Sequence, residues 1–131
     1  MLAKARLEGI GPVLTVYGLK NCDTCRKALM WLEAEGIPHR FHDLRAGGIK
    51  PADVKRFTKS AGWETVLNKA GTTWRGLADK QKSNVSEAEA VALMTEYPAL
   101  IKRPVFDFGT GEVVVGFRDS QKVAVLKAAS K

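Results

Sequence analysis

Cysteine is nearly absent from this chain: Cys22 and Cys25 are the only two among 131 residues. So few thiols exclude a disulfide-stapled scaffold. No export signal is expected either, because the stretch 1–8 carries two early positive charges and no long apolar run. No apolar segment approaches the ~20 residues that span a bilayer, so no membrane association is expected. Two cysteines without an export signal imply a reducing cytoplasm and a transient disulfide. No Gly-x-Gly-x-x-Gly follows a strand-like run, so no nicotinamide or flavin cofactor is expected and reducing equivalents must come from an external thiol.

Internal repeats, low-complexity tracts and long linkers are absent as well. The length suits one domain, expected over residues 13–131, preceded by an extension over 1–12 that ends in Gly9-Ile10-Gly11-Pro12. Twenty-one Lys and Arg against 14 Asp and Glu leave a net charge of +7. The charges are scattered, with no basic block and no nucleic-acid motif. A solvated basic surface with room for an anion-attracting site is the reading, without direct nucleic-acid binding.

What is present begins with a strand-like run, Val13-Leu14-Thr15-Val16-Tyr17, that leads into Gly18-Leu19-Lys20-Asn21-Cys22-Asp23-Thr24-Cys25. A helix-like run from Arg26 to Glu35 leads away. A Cys-x-x-Cys pair thus stands at a helix N-terminus, where unpaired backbone N–H groups and the helix dipole favour a thiolate. Zinc is the competing use, since His39 and His42 follow at a finger-like distance. Their odd offset in an extended stretch points them to opposite faces, so no metal is expected. Burial as two small apolar residues fits poorly with Asp23, Thr24, Arg26 and Lys27 around them. Redox or nucleophilic thiol chemistry leads.

The remaining pattern sets the fold. Asp23 or Thr24 is expected to cap a helix with an apolar stripe of Ala28, Leu29 and Leu32; Gly36 and Pro38 end it, and a second strand follows over about 37–44. A strand-helix-strand crossover of this length makes the two strands parallel neighbours. The middle reads as helical: Pro51 to Ala61 with Val54 and Phe57 inward, a short segment after Gly62-Trp63, a turn at Gly71–Trp74, and a helix opened by Ser86 and Glu89 as a capping box. Trp63 and Trp74 read as core anchors. Two β-rich runs around Gly109-Thr110-Gly111 form a hairpin, and a last helix over about 120–129 is expected to turn Val123, Leu126 and the Lys127 stem to one face. The order is an α/β, thioredoxin-like layout: a mixed four-stranded sheet with a helical subdomain inserted between its halves.

Laid out in this way, the chain resembles the arsenate reductase (ArsC) family, on its Spx/YffB-like branch. Four motifs carry the resemblance in order: Tyr17-Gly18-x-x-Asn21-Cys22-Asp23-Thr24-Cys25-Arg26-Lys27-Ala28, Leu67-Asn68-x-x-Gly71-Thr72-Thr73-Trp74-Arg75, Ile101-Lys102-Arg103-Pro104 and Val115-Gly116-Phe117. The resemblance implies Cys22 as nucleophile, Cys25 as resolving or switching thiol, and Arg103 facing the cysteine to bind an anion. It further implies a cis Arg103–Pro104 bond and substrate contacts at Lys20, Asn21, Arg26, Asn68 and Pro104. Arsenate reductases of the family use three arginines; here the first position is Asn68, the third falls at or near Phe117, and Arg103 alone is matched. Two functions follow as expectations. One is a thiol–disulfide reductase that uses glutathione as co-substrate. The other is a redox-switched regulator that, like Spx, binds the RNA polymerase α-subunit.

Overall fold

The computed structural model describes residues 13–130, so the expected extension over 1–12 lies outside the described residues. Strand β1 (Leu14–Gly18) runs into helix α1 (Asp23–Ala34), and strand β2 (His39–Asp43) returns beside β1. Pairing is parallel, from Leu14 opposite His39 to Gly18 opposite Asp43. Helix α1 ends as its glycine demands: Gly36 adopts φ +69°, and the Ile37 N–H reaches back to the Leu32 carbonyl at 3.0 Å.

The chain then leaves the sheet through six helical pieces. These are α2 (Leu44–Gly47), α3 (Pro51–Ala61), α4 (Trp63–Val66), α5 (Thr72–Arg75), α6 (Asp79–Lys82) and α7 (Glu87–Glu96), closed by a 3₁₀ turn over Pro98–Leu100. Proline opens α3, with Asp53 accepting the Lys50 N–H at 3.3 Å. Ser86 caps α7, accepting the Glu89 N–H at 3.4 Å. The Gly71–Trp74 segment, expected as a turn, is a single turn of helix. Strands β3 (Val105–Asp107) and β4 (Val113–Val115) form the hairpin, and helix α8 (Asp119–Ala129) ends the fold.

Strand order is β2-β1-β3-β4, with β3 antiparallel to both β1 and β4. This is the mixed, thioredoxin-like sheet expected, and the period of two divides its side chains between two cores. On one face Leu14, Val16, Phe106 and Val114 pack with Ala28 and Leu32 of α1 and Val125 of α8. On the other, Tyr17, Val105, Val113 and Val115 meet Val54 and Phe57 of α3 and Ala90, Val91 and Met94 of α7.

Two further expectations need correction. The N-cap of α1 is Cys22 itself, in an extended conformation, rather than Asp23 or Thr24. The inward residue of α8 is Val125, wholly buried, whereas Val123 and Leu126 are 53% and 42% exposed. Small neighbours explain the second reversal: Ala124, Ala128 and Ala129 flank Val125 and let α8 lie close to the sheet, which turns the larger residues outward.

The inserted subdomain is bolted to the sheet by polar contacts along α3. Arg56 bridges Asp53 and the buried Asp107 of β3, each at 2.7 Å. Ser60 Oγ accepts the Val113 N–H at 2.8 Å. Asp107 also accepts the Gly109 N–H at 3.0 Å, so both carboxylate oxygens are satisfied.

Candidate active site

β1 delivers the site to the carboxyl end of the sheet. At its last residue, Gly18, a β-carbon would stand 2.6 Å from Cys25 Sγ and 3.3 Å from the Phe41 ring. No side chain larger than hydrogen leaves space for the Cys25 thiol, which makes Gly18 a residue that shapes the site. The sequence carries no signal for this role of Gly18, because only the packed structure shows what lies across from it.

Both cysteines are free thiols, and they differ sharply. Cys25, one turn into α1, is 1% exposed. Burial pushes its pKa up to about 11, and the Cys22 thiol alongside adds to that rise against the opposing Leu19 backbone N–H. Cys22 is half-buried at the helix N-cap. Burial works against its ionisation as well. Even so, the Cys25 backbone N–H, the Cys25 thiol and the positive charge and hydrogen bonding of Arg103 together bring its pKa below the usual thiol value of 9.0. One thiol is thus accessible and acidic, and its partner is enclosed and kept protonated.

Arg103 reaches the site from the segment ahead of β3. Its Nη1 donates to the Ala99 carbonyl at 3.0 Å and the Ile101 carbonyl at 3.2 Å, which fixes the guanidinium plane. Its Nε is buried with no hydrogen-bond partner. The Arg103–Pro104 bond is cis, and Pro104 is buried. The loop that holds these residues is backed by an antiparallel bridge between Leu67 and Ile101, with Lys102 N–H donating to Val66 at 2.8 Å and Asn68 N–H to Leu100 at 2.7 Å.

The other expected contact residues are placed as follows. Lys20 and Asn21 are exposed in the loop between β1 and α1. The Lys20 backbone and charge act on Asp43, whose carboxylate, already accepting the Arg45 and Ala46 N–H groups, is held below the usual range. Arg26 is exposed and engaged by Asp23 and by the Lys20 carbonyl at 3.4 Å. Asn68 accepts the Ala70 N–H at 3.0 Å. Phe117 packs its ring 5.6 Å from Trp31 and 6.3 Å from Phe106, and Arg118 is exposed at the N-cap of α8. The histidines are spoken for: His39 Nδ1 bonds the Ile37 carbonyl at 2.8 Å and His42 Nε2 the Gly48 carbonyl at 2.7 Å, with the His42 ring on Tyr17.

Comparison with known proteins agrees with this architecture. Residues 17–125 match the ArsC family. An uncharacterized protein of Haemophilus influenzae is 38% identical over 83% of this chain and 95% of its own length. A solved YffB structure is 42% identical, covers 87% of this chain and 99% of its own, and superposes with a TM-score of 0.81. More distantly, the global transcriptional regulator Spx 1 of Lactococcus lactis is 26% identical over 87% of this chain and 89% of its own. The chain belongs to the ArsC family.

Proposed function

We propose that this member of the ArsC family is a thiol–disulfide oxidoreductase that uses glutathione, with Cys22 as nucleophile and Cys25 as resolving thiol. The observation that carries the reading is the split thiol pair: half-buried Cys22 has a lowered pKa, while Cys25 is pushed up to about 11 behind it. The Cys22 thiolate attacks one sulfur of a substrate disulfide, forming a mixed disulfide and expelling the other half as a thiolate. Loss of negative charge from Cys22 then removes one of the influences that keep Cys25 protonated. Cys25 gives up its proton and displaces the bound thiol, leaving a Cys22–Cys25 disulfide. Two glutathione thiols reduce that bond and leave as oxidised glutathione. Arg103 favours the thiolate form of Cys22 and, with Lys20, engages a carboxylate of the incoming thiol.

Arsenate reduction is the less favoured reading. A cradle of three guanidinium groups is not available where Asn68 turns onto its own loop and Phe117 is packed in an aromatic cluster. One arginine supplies too little charge-assisted hydrogen bonding for a multiply charged oxyanion.

A second reading, a redox-switched regulator that binds the RNA polymerase α-subunit, is favoured by the likeness to Spx 1 and by the buried second cysteine. Mass spectrometry after oxidised glutathione, followed by a coupled assay with reduced glutathione, separates the two. One glutathione on Cys22, absent in Cys22→Ser and retained in Cys25→Ser, with catalytic turnover, is the expected result. A rapid internal disulfide without turnover overturns it and leads to a pull-down with the polymerase α-subunit.

A further inference from the structure

In the inserted subdomain a cation is held against two aromatic rings. Lys69 Nζ lies 5.9 Å from the centroid of Trp63 and 5.4 Å from that of Trp74. Both indoles are half-buried against the core under α3 and α7, so they are fixed, while Lys69 is exposed. Among the described residues Lys69 forms no ion pair. It belongs to a corner that is itself locked: Asn68 N–H bonds Leu100, Ala70 N–H bonds Asn68, and Arg75 Nη1 holds the Ala70 carbonyl at 2.6 Å. Asn68 and Arg103 donate to the same run of carbonyls, the Asn68 N–H to Leu100 and Arg103 Nη1 to Ala99 and Ile101. Lys69 is therefore tied through that run to the residue that acts on the Cys22 thiolate.

Aromatic faces attract a cation and restrict its rotamers, so less freedom is lost when an anion binds it. A tripeptide spans about 10 Å when extended. Glutathione carries its sulfur on the central residue and a carboxylate at each end. With the sulfur on Cys22 and one carboxylate at Arg103, the far end requires a second positive group. We propose that Lys69, seated on Trp63 and Trp74, binds the distal carboxylate of the thiol co-substrate and so sets the preference of the site for carboxylate-bearing disulfides. This rests on the thiol–disulfide reading above and adds the residue that selects the substrate.

The test compares the rates at which Cys22 forms a mixed disulfide with oxidised glutathione and with neutral bis(2-hydroxyethyl) disulfide. Lys69→Met is expected to lower the ratio of the two rates roughly three- to fivefold, the size of an exposed ion pair, with the neutral reaction unchanged. Lys69→Arg is expected to keep the ratio. Lys127→Met, which removes the same charge from α8 across the sheet, is also expected to keep it. About 0.5 M salt should shrink the difference between the wild type and Lys69→Met. An unchanged ratio in Lys69→Met overturns the inference and leaves the reductase reading standing, as does an equal fall in Lys127→Met. Failure of the wild-type thiol to react with either disulfide overturns both.

Discussion

Gly18 and Cys25 share one packing space: the thiol of Cys25 fills the volume that any side chain at Gly18 would need, with Sγ 2.6 Å from the position of a β-carbon. The last residue of β1 and the first turn of α1 are thereby fitted to each other. Because Cys22 caps that same helix, the fit also fixes where the Cys22 thiol stands.

Gly18→Ala is expected to displace Cys25 and cost about 1–3 kcal/mol through overpacking. Its urea midpoint should fall, and the Cys22–Cys25 disulfide should form more slowly under oxidised glutathione. A variant with both values at wild-type level would mean that the helix yields freely.

The acidity of Cys22 depends on Arg103 and on donors from Cys25. The pH profile of iodoacetamide alkylation should therefore show a midpoint below 9.0 in the wild type. Arg103→Gln should move that midpoint upward and slow alkylation at neutral pH. An unmoved profile would remove Arg103 from the list of groups acting on the thiolate.

Cys25 titrates in the opposite sense, with its folded-state pKa raised to about 11. The folded protein holds this proton more tightly than the unfolded chain does. The contribution is fully present below the unfolded-state value near 9.0 and is lost as pH rises through about 11. Relative to Cys25→Ser, the wild type should lose roughly 3 kcal/mol of unfolding free energy over that window. Parallel curves for the two proteins across the same range would contradict the assignment.

Asp107, buried in β3, bonds both Arg56 and the Gly109 N–H. Asp107→Asn should destabilise the fold by about 1–2 kcal/mol, toward the low end because Arg56 is 43% exposed and keeps Asp53. Differential scanning calorimetry measures the loss. The rate of Cys22 alkylation should stay near wild type if the clamp only attaches the subdomain.

Local signals made much of this protein legible. Pro51 and Ser86 announce helix starts because each answers the missing partners of a first turn, and Gly36 ends α1 because it accepts positive φ. The hairpin is written in Gly109-Thr110-Gly111 between two runs of β-branched and aromatic residues. The inward face of α8 was misread because its larger apolar residues face out, and only the approach of the helix to the sheet decides that an Ala-flanked Val125 fits beneath. The cap of α1 was misread because cysteine is not a usual capping residue.

The sequence by itself determined the order of elements, the parallel β1–β2 pair and the placement of Cys22 and Cys25 at a strand-to-helix junction, since each follows from local element signals and the length of one crossover. The helix start already favours Cys22 as the acidic thiol; tertiary structure alone decided how far the two diverge. Cys22 and Cys25 are chemically identical residues, and they diverge because Gly18 opens a closed space for one while Arg103, some eighty residues on, brings a positive charge to the other.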